Sequence, residues 1–548
     1  MPDRHDVPVL IAGAGPIGLT LAADLAWRNI PSLIVDPQEQ IVEHPRAISI
    51  GVRSMEHFRR IGLDQHVIDA GVPREQVLDV VFVTRMLGKE IFRFKIPSID
   101  QLSTRSVSLQ KAIPETAASP YYKTWTAQAP LECMLRQHVQ YLPQTELRVG
   151  WTLMSFQEHT DSVTAVIRDN AGQHEETLTA AFLAGCDGAR SRVREGLGIN
   201  MQGRGTLGGA MGFYFRAPEL RARLGADAGV MYWMLAPDCG GTIYTIDGGD
   251  EWVFNRYFNS QEEANNVDPL RSIHAAIGEP LNVEVISALD WQPRQLVARS
   301  FGSERAFLAG DACHLFVPTG GLGMNTGIGD AADLAWKIQA VLEGWGGPAL
   351  LPGYDRERRP IGEQNTLEAA DNYDRSRAIQ AYPEGLEEET ARGEAARTSI
   401  AVQLPPKIKH FAPIGMHLGY CYENSPLVVA DGTPIPPHEP ASYKPTTRPG
   451  HRAPHAWLQA DRSTLDWFGD GFVLICTSGS AAEASGLVEA ARSSGVPIRI
   501  ETIDEPKIVA LYEKRFVLVR PDGHVCWRAD EPPTDPDIIV QTVTGRLR

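Results

Sequence analysis

The fold is decided by Val9-Leu-Ile-Ala-Gly-Ala-Gly-Pro-Ile-Gly18, a short branched apolar run that ends in the pattern G-x-G-x-x-G. Residues 19–28 follow with helix-forming side chains, and residues 30–36 have the character of a second buried strand that ends in Asp36. Strand, glycine turn, helix, strand and terminal acid together predict the βαβ unit of a dinucleotide-binding fold.

Each glycine of this pattern has a physical role. Gly13 permits the tight turn, Gly15 lets the backbone approach a pyrophosphate, and Gly18 lets helix and strand pack closely. The helix N-terminus faces the phosphates with free amides and partial positive charge. Asp36 is placed to accept hydrogen bonds from ribose hydroxyls. The residues expected to hold the dinucleotide here are Gly13, Gly15, Pro16, Ile17, Gly18 and Asp36.

Two later segments consist of a strand followed by a glycine-containing turn. The first reaches Asp187-Gly188 and continues as Asp-Gly-x-x-Ser-x-x-Arg; the second reaches Gly310-Asp311 and a glycine-rich loop that opens a helix. An acid at a strand end can orient ribityl or ribose hydroxyls, and a glycine-rich helix start offers amides to a developing anion. Either segment alone could be an ordinary strand-to-turn junction.

In this order, the three motifs resemble those of the single-component FAD-dependent aromatic hydroxylases, the p-hydroxybenzoate hydroxylase-like class. The resemblance covers roughly residues 7–375. It implies that the first motif binds the ADP half of FAD and that Gly310-Asp311 binds the ribityl side. It implies that Asp187-Gly188 supports FAD and also the reductant, NADPH or NADH. In this family the reductant has no separate Rossmann domain.

The resemblance also implies further contacts with the cofactor. Arg46 resembles the arginine near the pyrophosphate, and Gln128 resembles the glutamine that touches FAD before a helix. Pro37 follows Asp36 where the family often has an arginine, which leaves the adenosine contacts open. Backbone amides at Gly323, Met324 and Asn325 would face the flavin ring. Pro318 would lie over the reactive face, and Gly320 and Gly321 would let the ring approach and move.

Residues 205–295 are rich in aromatic side chains that alternate as antiparallel strands do. Strands are predicted at 211–216, 229–235, 241–246 and 251–258, and residues 77–84 and 90–94 are expected to join them. Alternate residues of this sheet would face the flavin, although the face that each strand presents is left open. The expected substrate-binding residues are Phe213, Tyr232, Trp233, Met234, Trp252, Asn255 and Pro318.

The C-terminal third resembles the thioredoxin-like tail of the phenol, 2,4-dichlorophenol and polyketide hydroxylase branch. The resemblance is carried by residues 445–458 and 519–523, after a Pro- and Thr-rich linker at 426–449. The tail has no C-x-x-C pair, which excludes thiol–disulfide chemistry and favours a structural or dimer-stabilising role.

The predicted fold class is therefore α/β with three domains. A discontinuous Rossmann-type FAD-binding domain (1–76, 108–200 and 296–410) is interleaved with a mainly antiparallel substrate-binding sheet domain (77–107 and 201–295). Residues 411–548 form the linker and the thioredoxin-like C-terminal domain.

Composition excludes several other classes. Among 548 residues, 52 Lys and Arg stand against 68 Asp and Glu, a net charge of −16 that makes nucleic acid a poor partner. The apolar start at residues 7–25 contains glycines and an acid, so neither a membrane span nor a signal sequence is expected. Seven scattered cysteines without a C-x-x-C pair exclude a disulfide scaffold and a zinc ribbon and fit a reducing cytosol. The expected protein is a cytoplasmic monomer or homodimer, with no metal site.

The function implied by the resemblance is monooxygenation of a small aromatic molecule. NADPH or NADH would reduce FAD, O2 would give a flavin C4a-hydroperoxide, and one oxygen atom would pass to a phenolic or polyketide-type ring. A base that ionises the phenol is expected but not assigned, and His314 is not favoured. The alternatives are a flavin epoxidase or Baeyer–Villiger oxygenase of a polyketide, a non-catalytic FAD or small-molecule binding protein, and a plain NAD dehydrogenase.

Overall fold

The structure, a computed structural model, describes residues 5–42, 44–258, 260–379, 385–477 and 480–547. The strands are β1 (Val7–Ala12), β2 (Ser32–Asp36), β3 (Ile50–Gly51), β4 (Val80–Val83), β5 (Glu90–Phe94), β6 (Lys123–Thr124), β7 (Thr145–Val149), β8 (Trp151–Glu158), β9 (Val163–Asp169), β10 (Glu175–Gly185), β11 (Met201–Thr206), β12 (Gly209–Arg216), β13 (Met231–Met234), β14 (Gly241–Thr245), β15 (Glu251–Phe258), β16 (Glu284–Trp291), β17 (Arg294–Ala298), β18 (Ala306–Leu308), β19 (His314–Leu315), β20 (Phe472–Thr477), β21 (Ile498–Ile503), β22 (Phe516–Val519) and β23 (Val525–Ala529).

The α-helices connect and cover these strands. They are α1 (Pro16–Trp27), α2 (Val52–Arg60), α3 (Asp64–Asp69), α4 (Ile99–Ser103), α5 (Val107–Ala112), α6 (Gln128–Gln140), α7 (Arg192–Gly196), α8 (Leu220–Leu224), α9 (Gln261–Asn265), α10 (Pro269–Ile277), α11 (Gly323–Leu342), α12 (Pro352–Ile379), α13 (Ala391–Ala401), α14 (Ile408–Phe411), α15 (Ile414–Leu418), α16 (Ser485–Ser493), α17 (Pro506–Tyr512) and α18 (Pro536–Val543).

The first sheet places the ends of the predicted motifs side by side. Its order is β7-β2-β1-β10-β9-β8, with β18 also beside β10, and β2, β1, β10 and β18 run parallel. Ala12 pairs with Gly185, which in turn pairs with Leu308. Because parallel strands end at one edge, the three glycine-containing turns meet there. The strands at residues 145–169 were not predicted.

The second sheet has the order β16-β12-β15-β14-β13-β4-β5 and is antiparallel except for the pair β13–β4. The predicted strands at 211–216, 229–235, 241–246 and 251–258 correspond to β12, β13, β14 and β15, and β4 and β5 extend the sheet as expected. Its side chains alternate between two separate apolar clusters, one on each face. Only one of these faces can therefore meet the first sheet's motif edge.

The C-terminal sheet has the order β21-β20-β22-β23. β20 and β21 are parallel, β22 and β23 are antiparallel to their neighbours, and α16, α17 and α18 connect or follow them. This β-α-β-α-β-β-α order is the thioredoxin-like arrangement expected from the sequence. The predicted α/β fold class is confirmed.

Buried ion pairs join this C-terminal region to the rest of the chain. Arg452 donates to both carboxylate oxygens of Glu56 on α2, at 2.5 and 2.9 Å. Arg520 contacts Glu357 on α12 at 2.5 Å and Asp333 on α11 at 3.3 Å. All these side chains are at most 2% exposed. The tail is therefore packed into the interior beside α2, α11 and α12.

None of the helices in the described ranges combines the length and the apolar character that crossing a bilayer requires.

Candidate active site

A cavity of about 1070 Å³, here the central cavity, lies where the motif edge of the first sheet meets one face of the second. Pockets for a single small molecule commonly span roughly 300–1,000 Å³, so this cavity has room for a large ligand and a second molecule. Most of the predicted cofactor residues line it: Gly13, Gly15, Pro16, Ile17, Asp36, Arg46, Gln128, Asp187, Gly188, Gly310, Asp311, Gly323 and Met324.

The glycine turn after β1 leaves open space where a phosphate would approach. Gly13 has φ +105°, and a Cβ atom there would lie 2.4 Å from the carbonyl oxygen of Cys186. A Cβ atom on Gly18 would lie 2.0 Å from the carbonyl oxygen of Gly13, while one on Gly15 would meet nothing within 4 Å. Gly13 and Gly18 are thus required by the protein's own packing, and the space beside Gly15 is available to a ligand.

Asp36 ties the end of β2 to this turn. One carboxylate oxygen accepts a hydrogen bond from the backbone N–H of Ala14 at 2.6 Å, and the other accepts one from that of Gln38 at 2.6 Å. The side chain also lines the central cavity. These hydrogen bonds fix the carboxylate at the position where the fold presents an acid to ribose hydroxyls.

Arg46 supplies an available positive charge. Its guanidinium is exposed in the central cavity and makes no hydrogen bond or ion pair with any residue that the structure describes. Gln128, the first residue of α6, is held by its backbone N–H, which donates to the carbonyl of Ala47 at 2.8 Å. A free planar cation beside the glycine turn suits the oxygens of a pyrophosphate.

The second motif forms a compact turn before α7. One oxygen of Asp187 accepts hydrogen bonds from the backbone N–H groups of Arg192 and Val193, at 2.7 and 3.2 Å. Burial raises the pKa of this carboxyl group. Gly188 has φ +76°, a conformation that favours glycine.

In the third motif, Asp311 is exposed to the central cavity although protein surrounds it on its other sides. This burial raises the pKa of its carboxyl group. Gly310 precedes it with φ +64°, and a Cβ atom there would lie 2.8 Å from the side chain of Ile17. Close packing at this glycine brings β18 against α1, so that Asp311 reaches the same cavity as the glycine turn.

The loop before α11 places Pro318, Gly320 and Gly321 on the cavity wall. Gly320 and Gly321 have φ +95° and +64°, and the backbone N–H of Gly321 donates to the carbonyl of Pro318 at 3.2 Å. Helix α11 then begins at Gly323 without a side-chain cap. Its first turn is therefore not closed off by one of the chain's own side chains.

Two predicted cofactor residues do not line the cavity. Gly18 is buried between helix and strand. Asn325 turns its side chain inward, where the amide accepts from the backbone N–H of Gly51 at 2.6 Å and donates to the carbonyl of Gly321 at 2.7 Å. Both residues support the backbone segments that line the cavity.

The substrate-side predictions divide between the two faces of the second sheet. Trp233, Asn255 and Pro318 line the central cavity. Phe213, Tyr232, Met234 and Trp252 instead pack in the apolar cluster on the opposite face and do not line the central cavity, contrary to their expected place. Side chains alternate along a strand, so Trp252 and Asn255, three positions apart, cannot share a face.

Sequence reasoning missed much of the apolar lining. The cavity surface here called the aromatic wall consists of Trp125, Trp233, Tyr244, Tyr257, Trp291 and Phe411. Asn255 donates to the hydroxyl of Tyr244 at 3.1 Å, and burial raises the pKa of Tyr244 and Tyr257. Within β15, the polar Asn255, directly after the apolar Phe254, was the available signal for the face that meets the cavity.

His314 is buried outside the cavity lining. Its Nε2 lies 2.7 Å from Asp330, which Arg358 also contacts at 2.9 Å. Cys313, His314 and Asp330 have ligand atoms within 4.8 Å of one another, close enough for a metal ion to bridge them. The carboxylate of Asp330, however, is already engaged by two side chains.

The arrangement fits a flavin dinucleotide on its own geometry. Open space lies beside Gly15, and Arg46 has no hydrogen-bond or ion-pair partner among the described residues. Asp311 faces the cavity, and the first turn of α11 carries no side-chain cap. These donors and acceptors lie along one continuous cavity that ends at the aromatic wall.

Comparison with known proteins agrees with this geometry. Residues 6–369 match the family described as "FAD binding domain", and residues 446–546 match "Aromatic-ring hydroxylase, C-terminal". The chain is 30% identical to tetracenomycin B2 monooxygenase-dioxygenase of Streptomyces olivaceus (100% of this chain, 99% of that protein) and 31% identical to 4-methyl-5-nitrocatechol 5-monooxygenase of Burkholderia sp (98% and 96%). It superposes on the rebeccamycin biosynthetic enzyme RebC with reduced flavin with a TM-score of 0.88, at 36% identity over 98% of this chain and 99% of that one.

These matches confirm the predicted family, its FAD cofactor and its use of NAD(P)H and O2. The chain belongs to the FAD-dependent aromatic-ring hydroxylases and is an FAD-dependent monooxygenase.

Proposed function

We propose that this monooxygenase hydroxylates a flat hydroxyaromatic molecule of polyketide-type, fused-ring size. The observation that carries the proposal is the aromatic wall, which lines the same cavity as the Pro318–Gly321 turn. A planar aromatic ligand gains both apolar burial and ring contacts on such a surface. The volume of about 1070 Å³ supports room for a multi-ring molecule beside the cofactor, and one relative is named for a tetracenomycin.

The proposed cofactor contacts follow the cavity from the glycine turn to the aromatic wall. The turn of Gly13, Gly15 and Gly18 and the start of α1 would hold the ADP half, with Asp36 toward the ribose and Arg46 toward the pyrophosphate. Asp311 would hold the ribityl side. The backbone at Gly323 and Met324 would face the flavin ring, with Gln128 and Asp187-Gly188 alongside.

When bound, FAD supplies the redox chemistry, in which NAD(P)H provides electrons and O2 the transferred oxygen atom. The chain's own residues position the ring and exclude water. Trp233 lies with its ring 5.9 Å from that of Phe411, and Tyr257 lies 5.8 Å from Trp291, so the wall is a set of contacting rings. Holding the substrate ring against this wall would accelerate hydroxylation, because it keeps the ring close to the reacting centre and excludes water from it.

Location and assembly are part of the proposal. All seven cysteines are free thiols, which supports a reducing, cytoplasmic setting. The buried ion pairs of Arg452 and Arg520 support a structural role for the tail in a monomer or homodimer. The domain ranges predicted from the sequence stay as proposed boundaries.

A substrate screen tests the function. The FAD-loaded enzyme would be given hydroxyanthraquinones and single-ring phenols, and NAD(P)H consumption and product mass would be measured. We expect fused-ring compounds to stimulate consumption more strongly and to gain one oxygen atom on the ring. An epoxide or lactone product would favour the epoxidase or Baeyer–Villiger alternative, and no stimulation by any aromatic compound would contradict the proposal.

A further inference from the structure

Lys123 is a cation in the central cavity without an acidic partner. Its amine donates to the backbone carbonyl of Phe411 at 2.6 Å, and no carboxylate lies within ion-pair distance of it among the residues that the structure describes. Lys123 is half-buried at the cavity wall, and a lysine withdrawn from solvent normally pairs with an anion. An ammonium group has three donors, so this one has hydrogen-bonding capacity left beyond the single carbonyl.

The groups around Lys123 do not balance its charge. The amine lies 5.5 Å from the ring centre of Trp125, and the imidazoles of His410 and His417 are its titratable neighbours. Burial lowers the pKa of His410 to about 3 and that of His417 to about 4, so both are neutral at ordinary pH. Burial also raises the pKa of Tyr122, which keeps that neighbouring phenol neutral.

The position of Lys123 joins the flavin-side backbone to the aromatic wall. It pairs with Gly51 across β6 and β3, and the backbone N–H of Gly51 is held by Asn325 at the start of α11. Phe411, whose carbonyl accepts from Lys123, is itself part of the aromatic wall. The amine is thus next to the surface on which the proposed substrate ring would lie.

We propose that Lys123 holds the ring hydroxyl of the substrate as its ionised oxygen. This inference rests on the proposed function. A neutral amine takes the hydroxyl proton, so that the O–H bond breaks, an N–H bond forms and an ammonium–phenolate pair results. An amine that is already protonated forms the same pair with a phenolate that enters ionised. No oxidant or reductant is consumed, and the ionised ring is richer in electrons for accepting an oxygen atom.

The state of the amine agrees with this role. Burial lowers the pKa of Lys123 to about 8, so neutral and protonated forms are both accessible near neutral pH. His410 also lines the cavity, but its low pKa makes it a much weaker proton acceptor. Arg46, which also has no partner among the residues that the structure describes, lines the same cavity.

The test uses alizarin, a fused-ring dihydroxyanthraquinone whose phenolate absorbs at longer wavelength than the neutral phenol. The oxidised, FAD-loaded enzyme binds alizarin, and the absorbance of the bound dye is titrated with pH. We expect the dye to ionise at least tenfold more readily on the wild type than on Lys123→Met, a difference of one pKa unit or more. Lys123→Arg keeps the charge and should restore the easier ionisation.

Lys407→Met is the matched control. Burial also lowers the pKa of Lys407 to about 8, and its amine also donates to a backbone carbonyl, that of Arg375 at 3.1 Å, but Lys407 does not line the central cavity. This variant should leave the dye's titration at the wild-type value. An equal shift in Lys407→Met and Lys123→Met would overturn the proposal, because it would show a non-local effect.

A second measurement covers the case in which Lys123→Met does not fold. On the wild type, alizarin should bind at least tenfold more tightly than its dimethyl ether, which cannot ionise. The role of Lys123 would be overturned by equal affinities for alizarin and its dimethyl ether, or by an unchanged pKa of the bound dye in Lys123→Met. It would also be overturned if the dye bound to the wild type titrated as the free dye does. Substrate-stimulated NAD(P)H consumption is measured separately, so failure of the proposed function is distinguishable.

Discussion

The side-chain oxygen of Asn325 accepts a hydrogen bond from the backbone N–H of Gly51 at 2.6 Å, across 274 positions of sequence. The same oxygen accepts from the hydroxyl of Ser54, and the amide nitrogen donates to the carbonyls of Gly321 and Ser49. One buried amide thus joins the start of α11, the loop before it and the end of β3. The positions of these three segments beside the central cavity depend on this residue.

Asn325→Ala should destabilise the protein and weaken FAD binding together. The substitution leaves buried donors and acceptors unpaired, which costs about 1–3 kcal/mol each in unfavourable cases. Denaturant unfolding of the apoprotein and flavin fluorescence on FAD titration measure the two effects. Asn266→Ala is the control, because the side chain of Asn266 is exposed and donates one hydrogen bond within the described part of the chain, to the carbonyl of Glu262. An Asn325→Ala protein with wild-type stability and FAD affinity would contradict the anchoring role.

Gly13→Ala and Gly15→Ala should separate folding from cofactor binding. At Gly13, the positive φ and a Cβ contact of 2.4 Å predict a loss of about 1–3 kcal/mol in the free energy of unfolding of the apoprotein. At Gly15 the added Cβ meets no protein atom, so apoprotein stability should stay within about 0.5 kcal/mol. FAD affinity should nevertheless fall at least tenfold, because the methyl group occupies the approach to the pyrophosphate. Calorimetry measures the stability of each apoprotein, and titration measures its FAD affinity. Equal losses of stability in Gly13→Ala and Gly15→Ala would contradict the different roles of the two glycines.

Trp233→Phe and Trp252→Phe compare the two faces of the second sheet. Trp233 lines the cavity and stacks on Phe82 with ring centres 5.7 Å apart, so phenylalanine there should alter the relative kcat/KM for single-ring and fused-ring substrates. Trp252 is fully buried on the opposite face, so its truncation should cost about 1–3 kcal/mol of stability through the space that it leaves. Substrate preference should change in the first variant only. An equally large change of substrate preference in Trp252→Phe would contradict the assignment of the substrate to the face that carries Trp233.

Glu56 predicts an acid-sensitive window. Its full burial opposes ionisation, but Arg452 and Arg53 outweigh this and lower its pKa from 4.5 to about 2. Because the folded-state pKa is the lower one, the stabilisation is fully present above pH 4.5 and is lost as pH falls toward 2, on the order of 3 kcal/mol in all. Glu56→Gln leaves two buried guanidinium groups without their anion and should cost about 3–5 kcal/mol at pH 7. Unfolding curves from pH 2 to pH 7 should be flatter for this variant; an unchanged slope would refute the assignment.

Sequence patterns predicted what depends on local geometry. A strand that ends in Gly-x-Gly or Gly-Asp specifies its own turn, and parallel pairing of β1, β10 and β18 then brings those ends together. Alternating aromatic residues likewise predicted β12 to β15. The sequence of a single strand does not show which of its two faces meets the cofactor, because both faces of this sheet are apolar.

The rest of the wall comes from segments far apart in the chain. Trp125 follows the short strand β6, and Phe411 ends α14, almost three hundred positions later. Neither segment carries a motif, and only tertiary packing makes them neighbours. Lys123 was missed for the same reason, because a lysine in the two-residue strand β6 gives no sign in the sequence that it lines a cavity.

The ion pairs of Arg452 and Arg520 have a consequence for protein engineering. A chain cut before residue 446 would lose Arg452 and Arg520. Glu56 would then be left with Arg53 alone, and Asp333 and Glu357 would share Lys337. Grafting the tail of another enzyme onto this one would succeed only if both arginines were kept in register with α2, α11 and α12. The tail and the body should therefore be exchanged as one piece, and gene-shuffling experiments should avoid crossovers at their junction.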